Sequence, residues 1–257
     1  HKALPGYSAS ALLLAKTTLL SGDRLEQSFE TTHTTSPAGA PLASIDAVRA
    51  LLQSQGESLL GNLLENIKRF KAQVQQEFAL PIFLNGSDFP QGRFDPTKIV
   101  LRANQLGISG VELEEALGTH GIRVEMADSD TVVFLATLAD SADDFDRLAK
   151  IVIQTVKKMQ GTARPSATAL SWSVIPEVKI SMRDAYFAKT EMVSRQNAIG
   201  RISADLIAPY PPGVAVVAPG EILTEQIVSG LTQSKDAGVR IAYATDPTLN
   251  QYRVVIS

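Results

Sequence analysis

The strongest constraint in this sequence is the apolar spacing between Gly56 and Val74. Leu59, Leu60, Leu63, Leu64, Ile67, Phe70 and Val74 recur at intervals of three and four. That is the period of one helix face, sustained for about five turns. Glu65, Lys68, Arg69 and Lys71 fall on the other side. A helix of this length often bridges two subdomains, which puts a boundary near its end, at residues 76–80. Just upstream, Ser44 is placed to cap a separate helix with Ile45, Val48, Leu51 and Leu52 on one face, ending at Gly56.

The flanking sequence has its own periods. Residues 8–20, SASALLLAKTTLL, read as a mostly buried helix capped by Ser8 or Ser10 and ended by Gly22. Residues 23–30 form a short amphipathic stretch around Leu25 and Phe29. Residues 31–41 read as an extended loop, because Pro37 and Pro41 disfavour helix before them. Beyond the turn-rich residues 81–92, the order is strand (98–101), helix (from Ser109), strand (122–126), strand (131–138) and helix (after Ser141). That order describes a small α/β unit. A low-charge linker at 161–176 leads to a further α/β unit. It has a helix opening at Met182, a helix at 197–206, a strand at 214–217, a helix at 222–231, and strands at 239–244 and 252–256. The expected domains are therefore 1–79, 80–163 and 164–257.

Composition narrows the function. The chain has 257 residues, a formal net charge of −3 and no basic block, so neither nucleic acid nor an anionic membrane is suggested as a partner. No apolar run approaches the ~20 residues of a membrane span. There is no Cys, which removes disulfides and thiolate chemistry and fits a cytoplasmic setting. His1, His33 and His120 lack metal-ligand spacing, so no metal is expected. No Gly-x-x-x-x-Gly-Lys or Gly-x-Ser-x-Gly pattern occurs.

What remains is His1-Lys2-Ala3-Leu4-Pro5, Thr34-Thr35-Ser36-Pro37, Gly200-Arg201-Ile202-Ser203-Ala204, Pro209-Tyr210-Pro211-Pro212-Gly213 and Pro219-Gly220-Glu221. In this order and at similar spacing, these resemble motifs of the Orn/Lys/Arg decarboxylases, fold-type I pyridoxal-phosphate enzymes. The resemblance covers essentially the whole chain. It implies the end of a fold-type I large domain, then a small α/β domain and a C-terminal α/β domain (α+β in its last part). It also implies that Lys2 is the catalytic lysine that carries pyridoxal 5'-phosphate, with His1 beside the cofactor.

By the same resemblance, Thr34 reaches a phosphate oxygen from the neighbouring subunit of a dimer or higher oligomer, with Thr35 and Ser36 as second candidates. Read without it, Thr34 is a loop-capping hydroxyl. The Pro-Tyr-Pro-Pro-Gly turn by itself is a rigid connector; the resemblance puts Tyr210 or Glu221 near the entrance for a cationic substrate. The implied activity is decarboxylation of arginine, lysine or ornithine to the amine, as in polyamine synthesis. The family's pyridine-nitrogen Asp and most of its phosphate cup lie upstream of the lysine. The chain is thus expected to be an incomplete part of the enzyme and a poor catalyst alone, with the missing N-terminal part as a partner. An aminotransferase, using Arg93, Arg102 or Arg123 for a carboxylate, and a non-catalytic regulatory relative are the alternatives.

Overall fold

The structure, a computed structural model, describes residues 4–8, 10–16, 18–165, 174–210 and 213–256. It divides into two units. One comprises residues 1–73, 85–99 and 135–149; the other comprises 74–84, 100–134 and 150–257.

In the first unit, helix α1 (Gly22–Thr32) starts where the Ser21 hydroxyl accepts the Arg24 N–H, satisfying one of the orphan donors of a helix start. Helix α2 is a single run, Gly39–Gln75, rather than two helices parted at Gly56. Gly56 is buried within it. One interior glycine costs only about 1 kcal/mol against alanine, which the packing on either side of it offsets. The helix also begins earlier than expected, because Pro41 lies in its first turn, where an N–H has no helical partner to lose. Val48, Leu63, Ile67 and Phe70 are buried. The Phe70 ring meets Phe145 at 6.1 Å between centroids, and Arg69 donates to the Asp146 carboxylate at 3.1 Å.

Residues 10–16 and 18–20 do not form the expected buried helix: the described backbone there is irregular, and Leu12, Leu13, Leu14, Leu19 and Leu20 are exposed. A short helix is marginal in water unless an apolar face is buried, and no described surface buries this one.

A three-stranded sheet, most of whose residues belong to the second unit, has the order β1 (Lys98–Arg102), β3 (Thr131–Leu135), β2 (Met126–Ala127). Burial alternates along β1 and β3, as the pleat requires when one face is covered. Helix α3 (Gly110–Gly118) opens on a reciprocal capping box between Ser109 and Glu112. Gly110 lies against the turn before β3: a Cβ there would come 2.3 Å from the carbonyl oxygens of Asp128 and Thr131. Helix α4 (Ala142–Met159) buries Val152 and Val156. Arg164 then pairs with Asp130 at 2.6 Å, and its N–H donates to the Asn104 carbonyl at 3.0 Å.

The C-terminal part carries helix α5 (Met182–Phe187), strand β4 (Thr190–Ser194), the single turn α6 (Arg195–Ala198), strand β5 (Ala208–Tyr210), helix α7 (Glu225–Asp236) and strands β6 (Arg240–Ala242) and β7 (Gln251–Val255). β4 pairs antiparallel with β7, Thr190 opposite Val255; β5 pairs antiparallel with β6, Tyr210 opposite Arg240. α7 starts at Thr224, whose hydroxyl accepts the Ile227 N–H. Ile207, Val217, Leu223, Ile227, Leu231, Tyr252 and Val254 share the core beneath it.

Two expectations fail here. The helix over 197–206 stops at Ala198, because Gly200 turns the chain at φ 82° and the following residues spend their backbone groups on bridges to Ile222 and Val254. The strand at 214–217 reduces to one bridge between Val217 and Ile207.

Candidate functional site

His1 and Lys2 lie outside the described residues, as do Pro211 and Pro212. Thr34 lies in the first unit, on the exposed connection between α1 and α2. Its Oγ1 accepts the Ser36 N–H at 3.3 Å, a turn of the kind a threonine makes with the backbone two residues on. That bond uses the oxygen as acceptor, so the hydroxyl hydrogen is not spent in it. Thr35 and Ser36 are exposed beside it.

The C-terminal motifs are chiefly architectural. Gly200 donates its N–H to the Leu223 carbonyl at 2.7 Å. Arg201 reaches the Glu191 carboxylate at 2.7 Å and the Val255 carbonyl at 3.0 Å. The buried Ser203 hydroxyl donates to the Asp205 carbonyl at 2.7 Å, and Ala204 donates its N–H to Arg253. This run therefore crosses between the Pro-Gly-Glu turn and β7.

The Pro-Gly-Glu turn completes the same ladder. Gly220 has φ 95°, a conformation other residues adopt only with strain. Its N–H donates to the Ser203 carbonyl, and its carbonyl accepts from Lys179 and Ile180. Glu221 is half-buried, and its Oε2 accepts the Ala218 N–H at 2.7 Å. Tyr210 is 48% exposed at the end of β5, and its ring covers Gly213, 3.0 Å from where a Cβ would stand. The described contacts thus place Tyr210 with Gly213 and Arg240, and Glu221 with Ala218 and Ser203, rather than with each other. Of the arginines weighed for a carboxylate, Arg102 donates to the Pro81 carbonyl.

Sequence reasoning missed Asp205. It is 7% exposed, and its carboxylate accepts the Thr245 N–H at 2.7 Å and the Thr245 hydroxyl at 3.0 Å. The Arg253 guanidinium lies 3.7 Å away. Its position directly after the Ser-Ala of the motif was the available signal: a carboxylate inside an apolar run is costly to bury unless paired. Its bonds fix the segment containing Tyr243, an exposed aromatic at φ 66°.

Among the described residues, no cluster of His, Asp and Glu could hold a metal ion, and no helix is long and apolar enough to cross a membrane. Of the residues that the resemblance assigns to pyridoxal phosphate, Thr34 is the described one, and its hydroxyl is of a type able to donate to a phosphate oxygen.

Residues 167–239 match the family model described as Orn/Lys/Arg decarboxylase, C-terminal domain. The chain is 30% identical over 261 aligned residues to the arginine decarboxylase of Bacillus subtilis, covering 99% of this chain and 53% of that protein. It is 21% identical to the constitutive lysine decarboxylase of Escherichia coli, covering 88% and 42%. Among solved structures, the lysine decarboxylase of Francisella novicida superposes with a TM-score of 0.70 at 19% identity, covering 92% of this chain and 46% of that one. At that identity the likeness establishes the fold, a mixed α/β architecture. The chain spans about half the length of the curated relatives it matches.

Proposed function

We propose, for a chain that belongs with the Orn/Lys/Arg decarboxylase family as its C-terminal portion, that it serves in pyridoxal-phosphate-dependent decarboxylation of a basic amino acid. The observation that carries this reading is similarity along 99% of the chain to a protein named arginine decarboxylase. Further relatives at 28% identity bear the same name, so arginine is the first substrate to test, before lysine and ornithine.

Lys2 holds the cofactor, and His1 lies beside it. A lysine amine reacts with a carbonyl only when neutral, so Lys2 requires a desolvated or cation-flanked setting. When bound, pyridoxal phosphate takes up the electron pair released as CO2 leaves. Thr34 donates its hydroxyl to a phosphate oxygen of the neighbouring subunit's cofactor, which makes the working form at least a dimer. Tyr210 or Glu221 stands near the entrance for the cationic end of the substrate. The Glu221 bond to Ala218 engages Oε2, which leaves Oε1 for a guanidinium or ammonium and keeps the carboxylate fixed while it binds. The chain is a part of the enzyme that works with the N-terminal part of the family-length polypeptide, in a cytoplasmic route to polyamines.

The test is release of labelled CO2 from carboxyl-labelled arginine, lysine and ornithine by the family-length protein carrying this chain. Borohydride is expected to fix the cofactor on the peptide containing Lys2. A Lys2→Ala variant that keeps full turnover overturns the assignment.

A further inference from the structure

We infer that Tyr243 selects a guanidinium over an ammonium at the substrate entrance, its ring held out to solvent by a strained, clamped loop so that the cation stacks on its face. The inference rests on the decarboxylase reading above and deepens it, because it names a specificity residue that none of the sequence motifs contains.

The strand period sends Tyr243 the other way. β6 pairs with β5, Tyr210 opposite Arg240 and Ala208 opposite Ala242. Ile241 is buried, and side chains two apart in a strand share a face. An extended chain would therefore carry Tyr243 toward the core after Ile241. Instead Tyr243 has φ 66° and is 69% exposed. A bulky residue enters that region only with strain, and an aromatic ring left in water forgoes the gain of burial. Folding is thus opposed twice at one residue. Strain of this kind persists where the surroundings over-determine it, and it gathers at ligand sites.

The surroundings here do over-determine it. Asp205 accepts the N–H and the hydroxyl of Thr245, two residues past Tyr243. Asp246 accepts the N–H groups of Thr248, Asn250 and Gln251, and Arg195 donates to the Leu249 carbonyl at 3.2 Å. Among the described residues, Tyr243 and Leu249 are the non-glycine positions with positive φ. Leu249 is buried in the core beneath α7, so packing offsets its strain. Tyr243 has no such return from the fold.

The chemistry of the ring sets the ligand. An aromatic face attracts a cation. A guanidinium is planar and weakly hydrated, so it stacks there, whereas a compact ammonium keeps its water. The carboxylates of Asp205 and Asp246 anchor the loop that carries the ring, and their charge also favours a cation. Tyr210, already placed near the entrance, lies on the strand paired with β6, so both exposed rings belong to one two-stranded ribbon and its exit.

Binding and turnover are read on one preparation of the family-length protein carrying this chain. The probes are deamino-arginine and deamino-lysine, which lack the α-amine and are not turned over. Tyr243→Gly is expected to weaken calorimetric binding of deamino-arginine about 10-fold, the size of one partly desolvated cation–π contact, and of deamino-lysine by no more than about 2-fold. Its thermal midpoint is expected to be equal or higher, because glycine adopts this φ without strain. Tyr243→Phe, which keeps the ring, is expected to restore the preference. Unchanged deamino-arginine affinity in the glycine variant overturns the inference, and so does an equal loss for both probes. Wild-type protein that binds deamino-arginine but releases no CO2 from arginine sinks the decarboxylase reading and leaves the assignment of Tyr243 standing. Wild-type protein that binds neither probe overturns both.

Discussion

Replacing Gly220 by alanine tests the claim that the Pro-Gly-Glu turn is a structural clasp. Gly220 has φ 95°, and an L-residue in the left-handed region costs about 1–2 kcal/mol. The added Cβ would also stand 2.4 Å from the Ile180 carbonyl oxygen. That atom is backbone and cannot rotate away, so one of the two segments must move. The movement weakens the Gly220 N–H bond to Ser203 (2.8 Å) and the Lys179 N–H bond to Gly220 (2.9 Å), each worth about 1 kcal/mol. The expected loss is about 3 kcal/mol. Gly200 is the control: its φ is 82°, but a Cβ there meets nothing within 4 Å, so Gly200→Ala should cost only the backbone part, about 1–2 kcal/mol. Urea unfolding followed by circular dichroism reads both. With a slope of about 2 kcal/mol/M, the Gly220 midpoint should fall by about 1.5 M and the Gly200 midpoint by about 0.5–1 M. Equal shifts, or a smaller one for Gly220→Ala, refute the clasp.

Asp205→Ala leaves the Thr245 donors and Arg253 without their partner and should cost about 2–4 kcal/mol by the same urea assay. Tyr243→Gly relieves a bulky residue held at φ 66° and should stabilise the protein by up to about 1 kcal/mol, seen as a raised thermal midpoint. Phe70→Ala empties the contact with Phe145 and should cost about 3–5 kcal/mol, the usual range for a buried aromatic. The Asp246 carboxyl is held below its ordinary 3.8, first by the Thr248 hydroxyl and then by the backbone N–H groups of Gln251, Thr248 and Asn250, against a smaller upward push from burial. A depressed carboxyl contributes stability that is present above its ordinary value and is lost as pH falls through the lowered one. Asp246→Asn should therefore flatten the dependence of the urea midpoint on pH below about 4, and an unchanged profile would contradict that role.

Regular elements were readable wherever local chemistry and period agreed. Ser109 marked the start of α3 and Ser141 that of α4, because a helix start is written in the residue that caps it. The failures at 10–20, Gly56 and 197–206 share a cause. Each depended on what the segment would meet: a surface for Leu12–Leu14, continuous packing around Gly56, bridging partners for Ile202 and Ser203. For the candidate site, the motifs could be picked out but their work could not. Glu221 looked like a substrate carboxylate, and its recorded bond is to the backbone of its own turn.

The sequence by itself determined that the chain is a mixed α/β protein with a long helix early, Thr34 in a connection and the Gly-Arg, Pro-Tyr and Pro-Gly-Glu runs in the last part. These follow from period, punctuation and residue type, all local properties. Only the tertiary structure decided that the Gly-Arg and Pro-Gly-Glu runs interlock, that Asp205 is a buried carboxylate holding Thr245, and that Leu12, Leu13, Leu14, Leu19 and Leu20 remain exposed. Burial and hydrogen-bond partnership belong to pairs of residues far apart in the chain, and no local pattern records which pairs will meet.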